Sequence, residues 1–167
     1  MYNYRYMDNT EIIDYHPSLK IFFKIINYEW LEKYFEVEEK DEEMLSNPEK
    51  FILSGGGFIL FAVFNGAVCG TVAMIKHNDN IFEMVKMAVL KSYRGKKIGE
   101  KLAIEAIKRA RKNGAEKIIL ETNRNLVSAV SLYEKLGFRK SDNGKCEDSG
   151  YERETFRMEL VVCDSDF

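Results

Sequence analysis

After Pro17, apolar residues recur at helical spacing. Leu19, Phe22, Phe23, Ile26, Trp30 and Leu31 share one face, which predicts an amphipathic helix opening at the proline. A second helix is predicted through the acidic stretch to about Leu45, and Gly55-Gly56-Gly57 marks a turn. Phe58–Phe64 is an unbroken apolar run of buried-strand length, and the Asn65-Gly66 that follows is a strong hairpin signal. Residues 68–75 then read as the returning strand, 77–80 as a turn and 81–90 as a third strand. From Ile98 the period changes. Ile98, Leu102, Ala106, Ile107 and Ala110 make an apolar helical face that stops at Asn113-Gly114. A short strand is predicted at 117–121, then a helix through Val127, Val130, Tyr133 and Leu136 that closes at Gly137. Phe138-Arg139 opens a further strand, 142–150 is a polar loop, and 153–162 is a final strand. The order predicts a mixed α/β (α+β) sheet, with strands 81–90 and 117–121 parallel because a helix joins them.

Composition narrows the class. A chain of 167 residues fits one domain, residues 1–167, and 46% apolar and 13% aromatic residues suffice for a packed core. A net charge of −2 carries no global bias toward nucleic acid or a membrane surface. The 58–64 run is too short to span a bilayer. The opening Met-Tyr-Asn-Tyr-Arg-Tyr has no apolar stretch after a basic start, unlike a secretory signal. Cys69, Cys146 and Cys163 are odd in number and match no zinc or C-x-x-C spacing, which reads as free thiols in a reducing, cytoplasmic setting. His16 and His77 lie far apart, so no metal site is expected.

The small net charge hides a split. Residues 29–49 hold nine acids against Lys33 and Lys40, and residues 86–112 hold ten basic residues against Glu100 and Glu105. Two solvated helix faces would account for this. The functional reading is a cationic substrate beside the first segment and an anionic ligand beside the second.

Residues 87–99, Met-Ala-Val-Leu-Lys-Ser-Tyr-Arg-Gly-Lys-Lys-Ile-Gly, carry the chemistry. A buried strand runs through a basic, glycine-containing turn directly into a long helix. The first N–H groups of a helix lack partners and carry the positive end of its dipole, so a pyrophosphate satisfies both. Arg94, Lys96 and Lys97 at that end cost the helix about 0.3–1 kcal/mol per charge, a penalty that a bound anion reverses. Gly95 and Gly99 let the backbone approach closely. The segment has neither the P-loop frame nor the G-x-G-x-x-G spacing of dinucleotide folds.

The same residues resemble the coenzyme A signature of the GNAT superfamily of N-acetyltransferases, R/Q-x-x-G-x-G/A, with Arg94 and Gly99 at its ends and Lys97 in place of its middle glycine. Such a lysine is expected to serve through its backbone N–H at negative φ. A second block, residues 129–138, is similar to the superfamily's A-x-x-L-Y-E-K-x-G-F, with Leu126 where an asparagine is usual and Asn123 and Asn125 flanking it. Tyr151, Glu152, Arg153 and Met158 also look like a subgroup of small bacterial members.

The resemblance implies a GNAT-type sheet, mostly antiparallel and twisted, with a splayed parallel pair and flanking helices. It implies that acetyl-coenzyme A binds with its pantetheine arm along Met87, Ala88 and Val89. Its pyrophosphate would lie on the amides of Arg94, Gly95, Lys96, Lys97, Ile98 and Gly99, with Glu100 in the same turn and Asn125 or Asn123 nearby. The acetyl group would pass to a primary amine, small-molecule or peptide, by direct attack. Amines have a pKa around 10, so a base or a desolvating pocket is required. Glu83, a charged residue inside an apolar strand where some members carry their glutamate, is the candidate base. Tyr133 matches the general-acid tyrosine, and the N–H near Val89 the oxyanion donor. Trp30, with Tyr34, Phe35 and neighbouring acids, suits a cationic acceptor, and the same pattern equally fits core aromatics beside solvated acids. Tyr151 and Arg153 would line the opposite wall, and Arg153 would favour an acceptor that also carries a carboxylate. A homodimer is compatible with the resemblance. The alternative is a non-catalytic acyl-coenzyme A sensor. A nucleic-acid module is disfavoured, because the basic segment lacks interleaved aromatics.

Overall fold

A computed structural model describes residues 9–142 and 150–162. Cys146, Cys163, the first eight residues and most of the predicted 142–150 loop lie outside the described residues. Cys69 is buried, and burial pushes its thiol above the usual range.

Seven strands form one sheet in the order β1-β2-β3-β4-β5-β7-β6. They are β1 (Thr10–Asp14), β2 (Phe58–Phe64), β3 (Ala67–Lys76), β4 (Ile81–Val89), β5 (Lys117–Thr122), β6 (Arg139–Lys140) and β7 (Phe156–Val161). A short 3-10 turn at Pro17–Leu19 leads into α1 (Lys20–Tyr34), followed by α2 (Glu39–Ser46) and a single π turn at Glu49–Leu53. Helix α3 (Ile98–Lys112) connects β4 to β5, and α4 (Val127–Lys135) follows β5. Among the described residues every strand pairing is antiparallel except β4–β5.

The unbroken apolar run of β2 is explained by burial on both faces. Ile59 and Phe61 pack with Phe23 and Leu31 of α1 and with Met44 and Leu45 of α2. Leu60 and Ala62 pack with Leu102 and Ala106 of α3. Burying a side chain such as Phe23 or Phe61 contributes about 1.5–3 kcal/mol, so the sheet is clamped from both sides.

Two elements depart from the sequence reading. Strand β1 was not legible, because its five residues, TEIID, include two acids. It forms by pairing with the edge of β2, from Thr10 opposite Phe64 to Asp14 opposite Leu60. The final strand begins at Phe156, not Arg153. The preceding segment is drawn off the sheet toward α2, where the Glu152 N–H donates to Glu38 Oε1 at 2.6 Å.

The sheet opens at one point. β4 and β5 pair from Ile81–Lys117 to Met84–Leu120 and no further. Just beyond, Thr71 faces Ala88 while Ala73 faces Val85, so Val72 is opposed by both Lys86 and Met87. This is a β-bulge, and its Lys86 adopts φ 51°. The bulge bends β4 as β5 leaves it, and the β5-facing edge of residues 85–89 has no strand partner among the described residues.

Candidate active site

The gap between β4 and β5 opens into a cavity of ≈ 580 Å³. Its walls come from α1, β4, the start of α4 and the 151–155 segment. Of the residues expected to hold a cofactor, Met87, Ala88, Val89, Arg94 and Asn125 line it. Arg94 folds back so that its Nε donates to the Val89 carbonyl at 3.1 Å, with Nη2 4.0 Å from Glu29. Glu29 in turn accepts from the Lys91 N–H at 2.7 Å, fixing the turn between β4 and α3.

That turn corrects one expectation. Lys97 does not adopt negative φ. It is the N-cap of α3 at φ 59°, ψ 21°. With Gly95 at φ 79°, two left-handed residues turn the chain into the helix. A side chain in this region costs about 1–2 kcal/mol, which explains why glycine suits the position. The Lys97 amide still belongs to the helix start, where N–H groups lack intrahelical partners. Ile98 is 2% exposed, packed into the core at the first turn of α3. Lys96 extends its ammonium over the Phe64 ring, 5.3 Å from the centroid. A Cβ at Gly99 would make ordinary contacts, 3.8 Å to Val89 and 3.9 Å to Leu132. The Glu100 carboxylate is taken by Lys135 at 2.7 Å, and this hydrogen bond holds its pKa below the usual range. Asn123 is also engaged: its Nδ2 donates to the Glu154 carbonyl at 2.6 Å, and its Oδ1 accepts from the Asn125 N–H at 2.8 Å.

Tyr133 lies on the buried face of α4 and lines the cavity. It packs edge-on against Phe138 with centroids 5.8 Å apart. Burial pushes its pKa up to about 12, so the phenol carries its proton at neutral pH. Glu83 lies on β4 and also lines the cavity, with 18% of its side chain exposed. Its Oε2 is 2.6 Å from His77 Nε2, and His77 is 44% exposed. The structure therefore brings Glu83, Tyr133 and the unpartnered β4 edge to one cavity.

Trp30, Tyr151 and Arg153 are there too. Trp30 donates from Nε1 to Asn27 Oδ1 at 3.2 Å and meets Phe35 edge-on at 6.1 Å. Arg153 lies over Tyr151, 3.9 Å from the ring centroid. Its charge is paired within the protein. Its guanidinium donates to both Asp41 oxygens, at 2.8 and 3.0 Å, and to Glu38 at 2.9 Å. Asp41 is 0% exposed and also pairs with the bulge residue Lys86. Burial by itself would raise the Asp41 carboxyl, but hydrogen bonds from Arg153 and Lys86 and their charges hold it down at about 2. Asp41 is at the same time the N3 member of the α2 capping box, receiving the Glu38 N–H at 3.2 Å.

Sequence reading missed this buried cluster and the cavity acid Glu121. Lys86 offered a signal, being a second charge inside the apolar β4 pattern, and Asp41 another, as part of a capping box. Neither indicated the other, since they lie 45 positions apart.

Comparison with known proteins agrees with the geometry. Residues 25–138 match the model of the Acetyltransferase (GNAT) family. The chain therefore belongs to that family. It is 31% identical over 110 residues to the uncharacterized N-acetyltransferase YvbK of Bacillus subtilis (strain 168), a match covering 61% of this chain and 71% of that protein. It spans about a third to a half of the other curated relatives it matches. The fold is that of a GNAT-family acetyltransferase from Staphylococcus aureus Mu50, with a TM-score of 0.81 at 24% identity over 92% of this chain and 99% of that one. It is also that of YncA from Salmonella typhimurium, solved with its cofactor acetyl-CoA, with a TM-score of 0.73 at 18% identity over 93% and 95% of the two chains. No described helix is long and apolar enough to cross a membrane.

Proposed function

We propose that this protein transfers the acetyl group of acetyl-coenzyme A to a primary amine, with both substrates bound at once. The observation that carries the reading is the convergence of a partnerless strand edge, a carboxylate and a buried, protonated tyrosine on one cavity. Acetyl-coenzyme A supplies the thioester. The N–H groups at the start of α3 receive its diphosphate and the β4 edge its pantetheine arm, with Arg94 and Asn125 beside it.

Glu83 takes one proton from the acceptor's ammonium, freeing the nitrogen lone pair to attack the thioester carbonyl carbon. The N–H near Val89 faces the carbonyl oxygen. The C–N bond forms, the C–S bond breaks, Tyr133 gives its proton to the departing thiolate, and the nitrogen, which still carries two protons, releases one of them to solvent to leave the neutral amide. His77, hydrogen-bonded to Glu83 and exposed, carries the amine's proton to solvent, and Tyr133 is reprotonated from water.

Calorimetry with coenzyme A and thiol release from acetyl-coenzyme A over an amine panel test the reading. Binding plus amine-dependent release supports it. Binding without turnover on a broad panel identifies an acyl-coenzyme A sensor, and no binding removes both.

A further inference from the structure

The acceptor end of the cavity holds charges of both signs, and they are not equally available. Its buried cations are engaged internally: Lys86 by Asp41, and Arg153 by Asp41 and Glu38. Arg94 is turned onto the Val89 carbonyl. Lys40 extends over the Tyr151 ring, 4.3 Å from its centroid. The acids are less committed. Glu83 pairs with His77 at 2.6 Å, and that partner is charged only when protonated. Glu121, on the cavity wall with 14% of its side chain exposed, has Arg157 at 3.8 Å, beyond hydrogen-bond reach.

The two acids share a face of the sheet. Glu83 is opposite Ile119 across the parallel pair, and Glu121 lies two residues further along β5. Strand spacing and rise put their α-carbons about 8 Å apart. Tyr151 reports both: burial and then Asp41 raise its pKa, and the charges of Glu121 and Glu83 add to the rise. An independent observation points to a polar ligand here. Thr155 lines the cavity, and its Oγ1 is buried without a hydrogen-bond partner among the described residues. A buried hydroxyl left unsatisfied is destabilising, and a ligand donor or acceptor offsets that. Trp30, Tyr34 and Phe35 supply the aromatic wall that suits an alkylammonium chain.

We infer that the acceptor is a linear diamine or polyamine, and that Glu121 is its specificity-determining residue. The reacting nitrogen goes to Glu83 and a second ammonium stays charged against Glu121. The inference rests on the acetyl-transfer reading above.

Three acceptors of one length separate the possibilities: 1,4-diaminobutane, butylamine and 4-aminobutanoate, compared by kcat/KM in thiol release from acetyl-coenzyme A. The diamine is expected at least tenfold ahead of butylamine, with 4-aminobutanoate slowest. Glu121→Gln should erase the diamine's lead through KM, and Glu121→Asp should restore part of it. The inference is overturned if 4-aminobutanoate equals or outruns the diamine. It is also overturned if Glu121→Gln lowers kcat for butylamine as much as for the diamine, because Glu121 would then serve the chemistry. A protein that binds coenzyme A yet turns over none of the three overturns it as well. A protein that shows no heat with coenzyme A fails earlier, at the acetyl-transfer reading itself.

Discussion

The two ends of the cavity are built from different materials. On the proposed reading the cofactor end is backbone: the edge of β4 beyond Met84, which has no strand partner among the described residues, and next to the cavity the first amides of α3, with Gly95 and Lys97 at positive φ turning the chain between them. The acceptor end is side chains gathered from α1, α2, the β4 bulge and the 151–155 segment, held by the Asp41–Lys86–Arg153–Glu38 cluster. A thioester carrier offers the same diphosphate to every enzyme that uses it, and main-chain dipoles are enough to bind that group. Discrimination among amines needs charges and rings at chosen points, and these come from distant parts of the chain. The difference teaches where substitutions should act: changes at the cofactor end alter a binding surface shared by all substrates, and changes at the acceptor end alter the choice among them or the fold that makes the choice.

The largest effect should come from the one group that serves the chemistry from the cofactor side. Tyr133→Phe keeps the ring packed on Phe138 and removes the proton donor. Steady-state kinetics should show kcat down by about 10²–10⁴, the range for general acid–base groups, with coenzyme A affinity by calorimetry unchanged. A variant that keeps full kcat would transfer the acid role to solvent.

Next comes the keystone of the acceptor end. Asp41→Ala leaves Lys86 and Arg153 without their shared carboxylate and removes a capping-box member from α2. Breaking a buried pair from one side costs about 3–5 kcal/mol, measurable as a loss in the midpoint of denaturant unfolding. A loss under 1 kcal/mol would mean that water replaces the carboxylate and that the cluster is not a strut.

The same residue gives a pH signature. Its folded pKa, about 2, lies below the value near 3.9 expected when unfolded. The contribution is therefore complete above about pH 4 and is lost as pH falls toward 2. The shift corresponds to about 2–3 kcal/mol at neutral pH, and acid titration of Asp41→Asn should lack that part of the slope.

The smallest effect returns to the cofactor end. Lys97→Gly relieves a left-handed side chain worth about 1–2 kcal/mol, less the added freedom of glycine in the unfolded chain. A net gain of about 0.5–1 kcal/mol by thermal melting is expected, with the affinity for coenzyme A retained. Loss of affinity would show that the lysine side chain, as well as its amide, holds the diphosphate.

Legibility followed range along the chain. The apolar run of β2, its Asn65-Gly66 turn and the α3 face were readable because each is a pattern within a dozen residues. The β4–turn–α3 connection was readable for the same reason: strand, basic turn and helix start are contiguous in one segment. Strand β1 was not, since TEIID becomes a strand only by pairing with residues some fifty positions later. The bulge at Lys86 was invisible too, because it exists only as a mismatch of register against β3.

What the sequence determined by itself is thus the family resemblance, the order of the elements after β1 and the strand–turn–helix connection from β4 into α3. Tertiary structure decided which charges remain for an acceptor. The acids of residues 29–49 look alike along the chain, yet Asp41 is 0% exposed and neutralised by residues 86 and 153. Glu42 and Glu49 are paired with Lys24 and Lys20. A charge acts through its distance and its solvent, and both are set by folding rather than by position in the sequence.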